Sequence, residues 1–204
     1  MGGTIHKLIA ENNNVSVLFL SDGVTSRENL REDIKSRRSS SISALKSLGC
    51  TDIEFCDFPD NKLDSIPLLN LCKTVESHIR LRNTEIVFTH FPFDLNIDHR
   101  RTQEATLVAC RPNLNSFVRE LYFFETVSST DWNFGNRRFS PNIFVDITNQ
   151  FRNKLLALQH YDVEINDFPN SRSILSIESL ANFRGASIGF EKAEAFELGF
   201  HRVK

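Results

Sequence analysis

Long apolar runs are absent from this chain. The longest are about six residues, against the roughly 20 that a membrane-spanning helix needs, so no segment is expected to cross a bilayer. Glycine and proline are sparse, 8 and 6 of 204 residues, which excludes a collagen-like or low-complexity chain. There is no excess of positive charge either. Lys and Arg number 24 against 26 Asp and Glu, a formal net charge of −2, so no nucleic-acid partner is expected. Tyr and Trp are scarce, 2 and 1, whereas Phe numbers 18, which favours a dry core over a base-stacking surface. Cys50, Cys56, Cys72 and Cys110 form no C-x-x-C pair, and a chain of this length needs no disulfide staples. They are expected to be reduced, mostly buried thiols in a cytoplasmic protein. Met1-Gly2-Gly3 leads into a short amphipathic stretch without the apolar region of a signal peptide. Asn14-Val15-Ser16 then matches a glycosylation acceptor by chance alone.

What is present reads as one domain over residues 1–204. Hydrophobic residues make up 40% and charged residues 25%, enough to build and solvate a single core. VSVLFL (15–20) has almost no polar alternation, the mark of a strand covered on both faces. Similar runs are DIEFCDF (52–58), EIVFTH (85–90), ELYFFE (120–125) and NIFVDI (142–147). Helical patterns lie between most of them, at 5–12, 29–48, 65–82, 99–110, 148–160 and 173–184. Gly49 stops the second of these, and Ile66, Leu69, Val75 and Ile79 are expected near one face of the third. Alternating strands and helices predict an α/β three-layer sandwich with a mainly parallel sheet.

In such folds chemistry gathers at the carboxyl ends of the strands. Those ends are followed here by Ser21-Asp22-Gly23, Phe58-Pro59-Asp60-Asn61, HFPFDLNIDHRR (90–101) and Glu125 to Trp132, all rich in polar side chains. Between Asp94 and His99 polar groups recur at spacing two, and an extended approach would put Asp94, Asn96 and Asp98 on one side of His99. One reading is a half-site for a divalent metal, with one imidazole and a carboxylate to orient it. The other is capping, with Asp98 satisfying amides of the first helical turn. His90, at a strand end, and His6, His78, His160 and His201 read as packed or solvated side chains. No G-x-S-x-G elbow, Walker loop or G-x-G-x-x-G fingerprint occurs. Gly2-Gly3 before a helix would suit an anion, a slight signal by itself.

The ordered segments GGTI (2–5), VLFLSDGVTSR (17–27), LKSLG (45–49) and FPDNKLDSIPLL (58–69) resemble the PIG-L/LmbE-like deacetylases. So do IVFTH (86–90), DLNIDHR (94–100), YFFETVSSTDW (122–132), PNIFVDIT (141–148), the 154–173 segment, RGASIG (184–189) and AEAF (193–196). The resemblance implies a Rossmann-like sandwich and zinc-dependent hydrolysis of the N-acetyl group of an amino sugar such as N-acetylglucosamine. The substrate would be the free sugar or a nucleotide- or lipid-linked conjugate, and the assembly is left open, a homo-oligomer included.

The resemblance also predicts a departure. Family members begin with a strand and an A-H-P-D-D-E type motif that carries a His and an Asp for the metal and an Asp as general base. This chain starts inside that unit, so its first strand is expected to be missing. Only His99 carries over as a metal ligand. Asn96 stands where many relatives have a second His that steadies the tetrahedral intermediate, and Asp98 matches the acidic neighbour that orients the site. Asp22, Arg27, Asp94 and Glu125 are candidates for lining the sugar pocket. The alternative is a non-catalytic sugar-binding homologue that has lost the metal site; a purely structural or partner-binding domain comes third.

Overall fold

A computed structural model describes residues 1–26, 33–112, 117–135 and 137–203. Its main elements, in chain order, are α1 (Gly2–Ala10), β1 (Ser16–Ser21), α2 (Ile34–Ser47), β2 (Asp52–Phe58) and α3 (Leu68–Arg82). Then come β3 (Ile86–His90), α4 (Ile97–Ala109), β4 (Glu120–Phe124), β5 (Ile143–Asp146), α5 (Phe151–Leu158), α6 (Ile174–Ala186) and β6 (Ala193–His201). The alternation is the mixed α/β order read from the sequence. The described residues form two compact units interleaved along the chain. One comprises Met1–Asp57 and Phe144–Ala195, the other Phe58–Ile143 and Phe196–Lys204.

In the first unit β1 pairs with β2. Phe19 and Phe55 stack across the pair with ring centroids 4.9 Å apart. Ile5, Ala44, Leu45, Leu48, Cys50 and Ala157 make one buried cluster, and Ile147, Phe151 and Ala181 another. Asp33 caps α2 by accepting from the Ser36 amide, and Gly49 follows its end at φ +85°. Arg37 and Arg38 do not stand free on that helix. Arg37 pairs with Glu164 at 3.0 Å and Arg38 with Asp57 at 2.6 Å, and each guanidinium lies over an aromatic ring.

The start of α1 does meet an anion, through the amides of Gly3 and Thr4, and it is the chain's own Glu194. This carboxylate accepts from the Gly3 amide at 3.2 Å, the Thr4 amide at 2.7 Å and the Thr4 hydroxyl at 2.7 Å, with Lys154 Nζ at 2.7 Å. It satisfies amides that have no partner within the helix and sits at the favourable end of the helix dipole. Gly3 is required for packing: a Cβ there would come within 2.9 Å of the Ile147 side chain.

In the second unit β3 and β4 are parallel, Ile86 opposite Glu120 through His90 opposite Phe124. Strand β6, absent from the sequence reading, pairs antiparallel with β4, Phe124 opposite Phe196 through Glu120 opposite His201. Buried Glu194 and Glu197 and a glycine at 199 interrupt its apolar pattern, which is why it escapes a hydrophobicity reading. The α3 helix starts at Leu68, after a short 3-10 turn at Leu63–Ser65. It buries Leu71, Cys72, Val75, His78 and Ile79, whereas Leu69, expected on that face, is 62% exposed. At 3.6 residues per turn Leu69 stands off the stripe formed by Leu71, Val75 and Ile79 and so faces away from it.

Candidate active site

The site lies in the second unit, where the segments after β2, β3 and β4 converge on the amino end of α4. The chain does not approach α4 in extended form: the Asp94 amide bonds back to the Phe91 carbonyl at 3.2 Å, a turn. The four polar residues expected together here therefore take separate tasks.

Asn96 is the cap of α4, its Oδ1 accepting from the amides of Asp98 at 2.8 Å and His99 at 3.4 Å. Its Nδ2 donates to Asn61 Oδ1 at 3.2 Å. Asp98 points both oxygens at the segment after β2 and accepts from the amides of Asn61 at 2.7 Å and Leu63 at 3.0 Å. Burial, assisted by Asp60, raises its carboxyl above the ordinary range against the pull of those amides.

The carboxylate that touches the imidazole is Asp94. Fully buried, it accepts from His99 Nδ1 at 2.9 Å, the Asn96 amide at 2.9 Å, Thr130 Oγ1 at 2.6 Å and the Ser129 hydroxyl. Burial alone would raise its pKa. The hydrogen bonds from His99, Ser129 and Thr130 outweigh burial and hold it at about 2. Asp94 is thus an anion at neutral pH, and His99 donates to it from Nδ1. That tautomer leaves the lone pair on Nε2, the arrangement that prepares a histidine to ligate a cation or take a proton.

His90 stacks on His99, with centroids 3.9 Å apart and planes within 8°. Burial and the neighbouring His99 push the His90 pKa well below its ordinary value, so it stays neutral, and among the described residues its Nδ1 has no hydrogen-bond partner. His90 is therefore a flat neutral support for the His99 ring. Arg100 ties the turn down by donating to the carbonyls of Asp94 at 2.7 Å and Leu95 at 2.5 Å.

Among the other sequence candidates, Asp22 lies in the first unit and closes the turn after β1, accepting from the amides of Val24 and Thr25 at 3.0 Å. Glu125 follows β4 directly and precedes the turn that carries Ser129 and Thr130. Arg27 lies outside the described residues. Ser129 and Thr130 hold Asp94, a role the sequence reading did not assign. The only signal for them was a polar segment at a strand end.

Among the described residues no three His, Cys, Asp or Glu side chains come together as a metal site. His99 Nε2 is suited to one coordination position, and a three-ligand centre is not formed by these residues.

The geometry makes Asp98 a clamp between α4 and the segment after β2. Asp98→Ala should leave two amides without their acceptor and cost about 1–3 kcal/mol. Urea denaturation checks it: an unchanged midpoint would show that water replaces the carboxylate at no cost.

No curated protein sequence matches the chain significantly. Solved structures do match in fold. The N,N'-diacetylchitobiose deacetylase of Pyrococcus horikoshii superposes with a TM-score of 0.78 at 22% identity, over 97% of this chain and 77% of that one. The pseudoaglycone deacetylase of an antimicrobial reagent gives 0.76 at 18%, over 100% and 92%. A 4-carboxy-2-hydroxymuconate hydratase from Pseudomonas putida gives 0.75 at 20%, over 100% and 91%. One scaffold thus carries deacetylases and a hydratase, so at this identity it speaks for the fold alone. The sequence carries the assignment further. The family model for GlcNAc-PI de-N-acetylase, PIG-L, matches residues 1–110, a stretch that includes His90, Asp94, Asn96, Asp98 and His99. The chain belongs to the PIG-L family.

Proposed function

We propose that this protein is a hydrolase that removes the N-acetyl group of an amino sugar, free or as a nucleotide- or lipid-linked conjugate. The observation that carries the reading is a buried Asp94 carboxylate bonded to a half-buried His99, within the stretch that the PIG-L family model matches. Solved structures of the same fold include a deacetylase of N,N'-diacetylchitobiose, which makes an acetamido sugar the first substrate to try.

Amide hydrolysis adds water to the acetamide carbonyl, breaks the C–N bond and releases acetate and a free amine. It needs a group that takes the water's proton and passes it to the departing nitrogen. The His99–Asp94 pair meets that need: Asp94 fixes the tautomer and Nε2 holds the proton. Asn96 and Asp98 contribute by holding the turn and the start of α4 in place, and Glu125 is a candidate for sugar contacts. Zinc, which the resemblance implies, would polarise the carbonyl when bound with His99 as one ligand, and Nε2 would then no longer be available to take the proton. The described residues do not form a complete site for it.

That incompleteness favours a second reading, in which the chain binds an N-acetylated sugar without cleaving it. One experiment separates the two. The full chain is incubated with N,N'-diacetylchitobiose, with and without added zinc, and acetate and free amine are measured in equal amounts. Stoichiometric release supports the hydrolase. Saturable binding with no acetate under either condition overturns it in favour of the second reading.

A further inference from the structure

The turn after β4 alternates between residues that face inward and residues that face water. Thr130 and Asn133 are 5% and 4% exposed, whereas Trp132 and Phe134 are 63% and 64% exposed. The inward residues fasten this turn to the loop of His99. Ser129 and Thr130 bond Asp94, and the Asn133 amide donates to the Phe93 carbonyl and to the Arg137 carbonyl. The outward residues form a ladder. The Trp132 and Phe134 rings meet edge to face at 5.1 Å, and the Arg138 guanidinium caps Phe134 at 4.8 Å from its centroid.

Other apolar side chains are as exposed, Phe168 at 63% and Phe183 at 66%, but Trp132 and Phe134 stand out because their rings adjoin in a turn bonded to Asp94, and a contiguous aromatic surface is suited to binding. Trp132 is two residues from Thr130, so its Cα lies within about 7 Å of the Cα of a residue bonded to Asp94. The span is comparable to one sugar ring. Polar groups accompany the two rings: the exposed Asp131 precedes Trp132 in the chain, and Arg138 lies over Phe134. A pyranose has that character, with an apolar C–H face and a rim of hydroxyls.

We infer that Trp132, supported edge-on by Phe134, is a stacking platform for a pyranose ring of the substrate, beside the His99–Asp94 pair. The inference deepens the N-acetyl-sugar reading and rests on it. It makes Trp132 a specificity-determining residue that acts in binding.

The test uses the fact that Trp132 is the sole tryptophan of the chain. Titration with N,N'-diacetylchitobiose should give a saturable change in tryptophan emission, at the concentrations where calorimetry detects binding. Trp132→Ala should weaken calorimetric binding about 5–30-fold, the scale of losing one aromatic anchor, and Trp132→Phe should keep most of the affinity. Both variants should melt like the parent, since the side chain is exposed. Unchanged affinity in Trp132→Ala, emission that does not respond at saturation, or no calorimetric binding overturns the inference. Acetate release is read separately. Emission that responds without acetate sinks hydrolysis and leaves the platform standing, whereas acetate release with the same KM in Trp132→Ala does the reverse.

Discussion

Replacing Asp94 with alanine should lower the proposed acetate release by on the order of 100-fold, the upper scale for losing a carboxylate that orients a functional histidine. It should also destabilise the second unit. Four donors share this one buried acceptor: His99 Nδ1, Ser129 Oγ, Thr130 Oγ1 and the Asn96 amide. Leaving buried donors unsatisfied costs about 1–3 kcal/mol each, and water entering the space vacated by the carboxylate recovers part of it. A net loss of about 3 kcal/mol is expected. Asp94→Asn is the sharper probe, because it keeps the shape and places an amide N–H where an acceptor is needed. It should lose much of the activity with a smaller loss of stability, since one amide oxygen still accepts. Acetate release and thermal melting of the two variants check this. Full activity in Asp94→Asn would mean that the His99 tautomer is set by something else. The site would then need to be rebuilt around another pair.

Replacing Glu194 with alanine should cost about 3–5 kcal/mol, the scale for breaking a buried ion pair by removing one partner. The change strands the Lys154 ammonium, which is 17% exposed, and removes the acceptor for the Gly3 and Thr4 amides. Each kcal/mol lowers Tm by roughly 2–4 °C in a chain of this size, so calorimetry resolves the effect easily. The pH dependence follows with a definite sign. Burial by itself would raise the Glu194 pKa, but Lys154 and the donors at the start of α1 hold it well below the ordinary value of 4.5. A carboxyl whose pKa is depressed by folding stabilises fully above its unfolded value, and that stabilisation is lost as pH falls toward the folded one. Stability of the parent should therefore decline below about pH 4.5, and Glu194→Gln should flatten that decline while being less stable at pH 7. If both proteins lost stability equally between pH 5 and 3, other carboxylates would be responsible for acid sensitivity.

Much of the fold was legible in the sequence because it rests on local signals. The runs VLFL, EFCDF, IVFTH, LYFF and IFVD are apolar enough to be strands buried in a sheet, and all five form. Gly49 and Ser173 mark helix ends by short-range geometry, and the helices stop or begin beside them, whereas Asp33, inside the stretch read as helix from residue 29, caps α2 instead. Strand β6 was not legible. Its Glu194 and Glu197 are buried by partners far along the chain, at Thr4 and Lys154 for one and Arg137 for the other, and no local pattern announces such pairing.

The site divides in the same way. The sequence by itself determined that chemistry-bearing residues cluster in DLNIDHR at a strand end, and that His99 stands at the beginning of a helix. It did not determine which carboxylate serves that histidine. Asp98 is adjacent in sequence, but a residue inside the first helical turn projects away from its neighbour, toward Asn61 and Leu63. Asp94, five residues back, reaches the imidazole because the chain turns between them. Ser129 and Thr130, 35 and 36 residues on, then lock it in place. The stacking of His90 on His99, the anion at the Gly-Gly helix start and the outward set of Trp132 were likewise decided by tertiary structure. Each depends on which segment packs beside which, and residue spacing carries that information only within a turn of helix or a step of strand.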